Sequence, residues 1–240
     1  MRLLPLLVLL AGCSPFAERF SPGRADVLEF RLSNGFWKDT FAPDTAIAAG
    51  GSVSLEVRGK GGVLRAVVVD PAVIEAAGED LTPAVRDGES VWKVTLRALK
   101  EGRTVVELRD GETVVDSVEL VVVSAASFDW EIYDPDRQSR RADDVLRVLP
   151  KESLDLDIWA YDAEGERLAG AGAWEIVAGE TRLLADPDPE TPHCCVFSRL
   201  TLGSRFPLRV EGRVFGSTEL RVRGVAGSGA ERTIVVKVGI

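Results

Sequence analysis

The chain has 240 residues, 45% of them hydrophobic and 28% charged, with a formal net charge of −9 at pH 7. That hydrophobic share supports a buried core and argues against wholesale disorder, and the length allows two domains of ordinary size. The acidic balance disfavours nucleic acid and anionic lipid as partners.

Arg2 gives a short basic start, residues 3–10 form an almost unbroken apolar run, and Ala11-Gly12 lead into Cys13. This is the layout of a secretory signal with a small-residue cleavage site. The run breaks at Ser14, Pro15, Glu18 and Arg19, short of the roughly 20 apolar residues a membrane-spanning helix needs. Leu10-Ala11-Gly12-Cys13 resembles the lipobox of bacterial lipoproteins. The resemblance implies a signal peptide over 1–12, cleavage before Cys13, a diacylglycerol thioether on its sulfur and acylation of the new amino group. By the same resemblance Ser14, standing where Asp favours inner-membrane retention, implies an outer-membrane destination. Plain secretion without lipid is the alternative. Loss of Arg2 with the leader leaves 28 basic against 38 acidic groups.

Residues 13–25, with Pro15, Pro22 and Gly23, read as a lipidated, flexible tether. From Asp26 short strands are predicted. Val53, Leu55 and Val57 alternate with polar neighbours, residues 64–69 stop at Asp70-Pro71, and Trp92, Val94, Leu96 and Ala98 alternate toward a core. Residues 104–108 and 113–123 read as a closing hairpin with Asp110-Gly111 as its two-residue turn, and residues 71–77 have room for one helical turn. The first domain is expected over 26–124.

The run from Ala98 to Leu108, followed by a hairpin and a valine-rich strand, resembles the closing half of bacterial immunoglobulin-like domains of the invasin type, and residues 51–57 resemble their second strand. The resemblance implies an all-β fold of two tandem immunoglobulin-like β-sandwiches after the cleaved signal. The second, over 125–240, is more divergent and is not a sequence repeat of the first. Its strands are predicted around Phe128-Trp130-Ile132, Leu154-Leu156-Ile158-Ala160, Trp174-Ile176, Phe206-Leu208-Val210, Leu220-Val222 and 233–238. Trp174 is expected as a core aromatic.

Little points to catalysis. His193 is the only histidine, and no glycine-flanked serine elbow accompanies it. Cys194 and Cys195 are adjacent, so they bridge each other only in a strained ring, and in a strand they point to opposite faces. A zinc site with His193 lacks familiar spacing. Asp186, Asp188 and Glu190 form a weak calcium candidate, as do Asp134, Asp136, Asp143 and Asp144. A glycosidase-type carboxyl pair is the enzymatic alternative, recognisable by two carboxyls about 5–9.5 Å apart in a cleft. The expectation is a non-catalytic envelope protein without cofactor, held to the membrane at Cys13, whose modules bind an unidentified protein in adhesion. A scaffold role in a periplasmic or outer-membrane assembly is the alternative. Carbohydrate binding is the minor one, and it predicts an exposed aromatic platform around Trp159, Tyr161 or Trp174.

Overall fold

Alternation of apolar and polar residues governs the backbone, and every regular element among the described residues of the computed structural model is a β-strand. The structure describes residues 20–34, 40–77, 80–86, 88–133, 140–141, 145–170, 172–177, 195–199, 208–213, 215–225 and 228–239. The first half carries β1 (Ser21–Pro22), β2 (Glu29–Ser33), β3 (Thr40–Phe41), β4 (Ile47–Ala48), β5 (Ser52–Gly59) and β6 (Leu64–Val68). It continues with β7 (Ile74–Ala77), β8 (Asp80–Leu81), β9 (Ala84–Arg86), β10 (Glu89–Ala98), β11 (Gly102–Asp110) and β12 (Thr113–Val123). The second half carries β13 (Ser127–Tyr133), β14 (Arg140–Arg141), β15 (Val145–Val148), β16 (Ser153–Tyr161) and β17 (Trp174–Ile176). It closes with β18 (Cys195–Arg199), β19 (Leu208–Gly212), β20 (Gly216–Gly224) and β21 (Glu231–Val238).

In the first half β2-β5-β10-β7 hydrogen-bond in that order, facing a second sheet built on β4-β12-β11-β6. In the second half β13-β16-β19-β18 face β15-β21-β20-β17. Lettered by the immunoglobulin convention, both halves read A-B-E-D against A′-G-F-C, with A′ running parallel to G. The corner between A′ and B also repeats its backbone bonds. Gly50 N–H donates to Ala98 O, and Lys151 N–H donates to Gly212 O in the same place. Two tandem immunoglobulin-like sandwiches are therefore present, although the halves share no sequence repeat.

The core residues follow from the strand period. Val53, Leu55, Val57, Trp92, Val94, Leu96 and Ala98 are all buried between the first two sheets with Phe30, Leu32 and Leu108. Phe128, Trp130, Leu156, Leu208, Leu220, Ile234 and Trp174 fill the second core, which places Trp174 as expected. Each fully buried side chain of this size stabilises by about 1.5–3 kcal/mol.

Two local expectations change, and one, the short turn within 71–77, is narrowed. Asp110 pairs with Thr113, so the hairpin turn is Gly111-Glu112, with Gly111 at φ 57°. Residues 70–73 make a single hydrogen-bonded turn, and the chain then enters strand β7 because Ile74 is drawn into the core. The third concerns the tether: from Phe20 onward the chain is folded onto the first sandwich. Ser21 and Pro22 pair with Phe30 and Glu29, and the Phe20 ring lies 4.4 Å from the guanidinium carbons of both Arg31 and Arg58.

A β-bulge fixes the end of this segment. Leu108 pairs with Asp116 and Arg109 with Val114, which leaves Val115 as the extra residue on β12. The buried Asp116 carboxylate accepts N–H bonds from Ala25 (2.8 Å), Val27 (3.0 Å), Leu28 (2.8 Å) and Ser117 (2.7 Å). Burial pushes this carboxyl up, but the four backbone donors outweigh burial and hold it below the ordinary range.

Candidate functional site

Only residues 124–126 separate β12 from β13, so the sandwiches meet directly. Glu101 accepts the Ser124 N–H (3.0 Å), and the hydroxyl and backbone of Ser124 hold its carboxyl below the ordinary range. The main contact comes from the loop after β16. Asp162 folds it by accepting the N–H groups of Glu164 (3.1 Å) and Glu166 (2.7 Å). Ala169 then donates to Ala46 O (2.9 Å) and accepts from Ala48 N–H (2.8 Å), making a parallel bridge opposite Ile47. Thus β4, paired with β12 on one edge, takes a strand residue of the second sandwich on the other. Such an edge is otherwise open to any extended chain.

Small residues make this approach possible. A β-carbon on Gly51 would stand 2.9 Å from Ala48 O and 3.2 Å from the Gly170 Cα, so the two backbones touch where both residues are glycine. Gly170 N–H also donates to Asn34 Oδ1 at 2.9 Å. Beside this bridge lies Trp159, on the outer face of β16. Its Nε1 donates to Glu131 Oε2 (3.1 Å), and the Arg167 guanidinium carbon stacks 3.0 Å from its ring centroid and 5.8 Å from that of Phe41. Trp159 and Ala169 join the core of the first sandwich, and Ala48 joins that of the second.

This placement corrects the aromatic-platform expectation. Trp159 is 5% exposed and Trp174 3%, and Tyr161 is partly buried against the first core. The period of β16 does turn Trp159 outward, but the neighbouring sandwich covers that face. The Trp159 and Trp174 rings are therefore closed to a stacking sugar as they stand.

Of the other predicted residues, Cys13, Asp186, Asp188, Glu190, His193 and Cys194 lie outside the described residues, as do Asp134, Asp136, Asp143 and Asp144. Cys195 opens β18 opposite Gly212. Among the described residues no group of three His, Cys, Asp or Glu is placed to hold a metal ion. Carboxylates of the sheet exteriors are matched to arginines across strands: Glu56 with Arg31 (2.6 Å), Asp129 with Arg232 (2.7 Å) and Glu175 with Arg223 (2.6 Å). Asp155 takes Arg209 in a fork (2.7 and 2.9 Å), and that hydrogen bond raises the guanidinium above its ordinary value. Only Glu175 with Arg223 is about half exposed, a setting in which such a pair contributes about 0–1 kcal/mol; the carboxylates of Glu56, Asp129 and Asp155 are largely covered. Among the described residues these four carboxylates are neutralised by arginines.

Among the described residues, the exposed large apolar side chains other than Val69 and Val145 stand at the two remote ends. Leu149 (45% exposed) and Phe215 (73%) stand at the end of the second sandwich away from the junction. Val27, Val63, Val85 and Val114 stand at the opposite end of the first. Sequence reasoning missed both groups, because a valine at a strand start reads as core. Phe215, just before the glycine that opens β20, was the one available signal.

Topology and junction together define the class: a tandem immunoglobulin-like β-sandwich protein with a tightly bonded joint. No protein-family model and no curated protein matches the sequence. Among solved structures the chain is similar to domains 5–6 of the S-layer protein SbsC, at 15% identity and TM-score 0.33, covering 83% of this chain and 95% of that one. It is also similar to the Escherichia coli adhesin FdeC (15%, TM-score 0.30, covering 92% and 66%) and to the Yersinia pseudotuberculosis adhesin InvE (13%, TM-score 0.31, covering 93% and 61%). The chain spans about two thirds or less of those two adhesin chains.

Proposed function

We propose that this is a non-catalytic, lipid-anchored protein of the bacterial cell envelope that presents a protein-binding tip in adhesion at the surface. Acyl chains on Cys13 hold it to the outer membrane, and two modules, 26–124 together with the folded-on residues 20–25, and 125–240, form a stiff spacer. Two or three chains at about 0.8 kcal/mol per buried methylene make such an attachment effectively permanent. The observation that carries the spacer reading is the Ala169 bridge to β4, which joins the sandwiches by backbone hydrogen bonds. Arginine-matched carboxylates and buried tryptophans support the non-catalytic part. The partner contact falls on the far end, where Phe215 and Leu149 are exposed and end loops are free to vary.

Protease shaving of intact cells with a tag at Ile240 tests this reading. Loss of the tag from intact cells is expected. Protection in intact cells, with cleavage only after lysis, would overturn surface adhesion and leave the scaffold role inside the envelope.

A further inference from the structure

We propose that the end of the first sandwich remote from the second rests on the lipid surface that holds the anchor, so that the rod stands on four valine-bearing tips. The proposal rests on the reading of Cys13 as the lipid site. Strand register puts the four side chains at one end. Val63 immediately precedes β6, whose Arg65 pairs with Arg109, and Arg109 in turn pairs with Val114. Val85 pairs with Ser90, Ser90 pairs with Gly59, and Val27 O lies 3.7 Å from the position of a β-carbon on Gly59. Of the large apolar residues exposed in the first sandwich, Val69 alone lies elsewhere among the described residues.

These tips are held outward. Trp92 Nε1 donates to Gly62 O (2.9 Å) and Ser90 Oγ to Gly61 O (3.1 Å), clamping the loop that carries Val63. Asp116 clamps the turn that carries Val27, and Val114 adjoins the bulge that positions Asp116. These bonds fix the backbone of the turns that carry Val63 and Val27, and the side chains of Val63, Val27 and Val114 all stand exposed. Chain length supplies the occupant. Seven residue steps join Cys13 to Phe20 and span at most about 25 Å, which keeps this sandwich beside its own membrane. Charge at the same end is mixed. Lys60 and Arg65 are exposed there against Asp26, Glu89, Asp110 and Glu112, a balance that leans acidic, so the contact is apolar and not a polybasic patch. A lipid surface accepts such a ring of short apolar tips at the depth of the headgroups.

The acylated full-length mature chain, with Cys194→Ser and Cys195→Ser, would be reconstituted on phosphatidylcholine vesicles bearing a headgroup quencher. A fluorophore is placed at Glu112→Cys on the near end or Ser217→Cys on the far end. Quenching at 112 at least fivefold above that at 217 is expected. Replacing the four valines by serine should cut quenching at 112 at least twofold while vesicle flotation is unchanged. Equal quenching at both ends, or no response to the valine replacement, would overturn the proposal and leave a tip merely tethered nearby. Failure of the mature chain to float with vesicles would instead overturn the lipid reading on which it rests.

Discussion

Asp116→Ala is expected to destabilise the first sandwich by about 3 kcal/mol, because it strips the acceptor from the Ala25, Val27 and Leu28 N–H groups at once. Leu28 is itself buried, so water cannot replace that acceptor without opening the core. The effect carries a pH signature. The folded carboxyl lies below its unfolded value of about 3.9, so its stabilisation is fully present above that pH and is lost as pH falls through the folded value. Urea unfolding of the parent and variant at pH 7 and pH 3 should show a gap that narrows at pH 3. An equal gap at both would mean that the nest contributes through packing alone. Release of residues 20–28 in the variant should also free Phe20 from Arg31 and Arg58.

Trp159→Ala is expected to cost about 3–5 kcal/mol, the range for removing a large buried aromatic. Its distinguishing effect is on cooperativity. The indole fills the space between Glu131, Arg167 and the first core, so its loss removes the support beneath the Ala169 bridge. Calorimetry should show one transition for the parent and two for the variant, the lower displaced by roughly 10 °C. A single transition shifted as a unit would show that backbone bonds alone couple the sandwiches.

Strand positions were legible because a half-buried strand alternates with period two, and Val53-Leu55-Val57 and Trp92-Val94-Leu96-Ala98 do so without interruption. The shared topology of the halves was legible only as an expectation from resemblance. What stayed hidden depends on contacts between distant segments. Ala46 to Gly50 and Leu168-Ala169-Gly170 carry no pattern that marks them in the sequence, yet their small residues, with Gly51, are what lets two backbones meet. The Val115 bulge was invisible because the valines of β12 mask a one-residue slip. The aromatic platform that the minor carbohydrate alternative predicts around Trp159 fails because period two assigns a face, and only the neighbouring sandwich decides whether that face is wet. The segment from Phe20 to Ala25 looked like tether by composition, but Asp116, some 90 residues away, ties its end down.

The central claim is that the two sandwiches form one stiff body. Pulsed electron-spin measurement between labels at Lys93→Cys on β10 and Glu219→Cys on β20, both exposed, tests it most directly in the Cys194→Ser, Cys195→Ser chain. A single narrow distance peak is predicted, broadening on Trp159→Ala. A broad distribution in the parent would contradict the account, since a bridge through Ala169 leaves no room for the modules to swing.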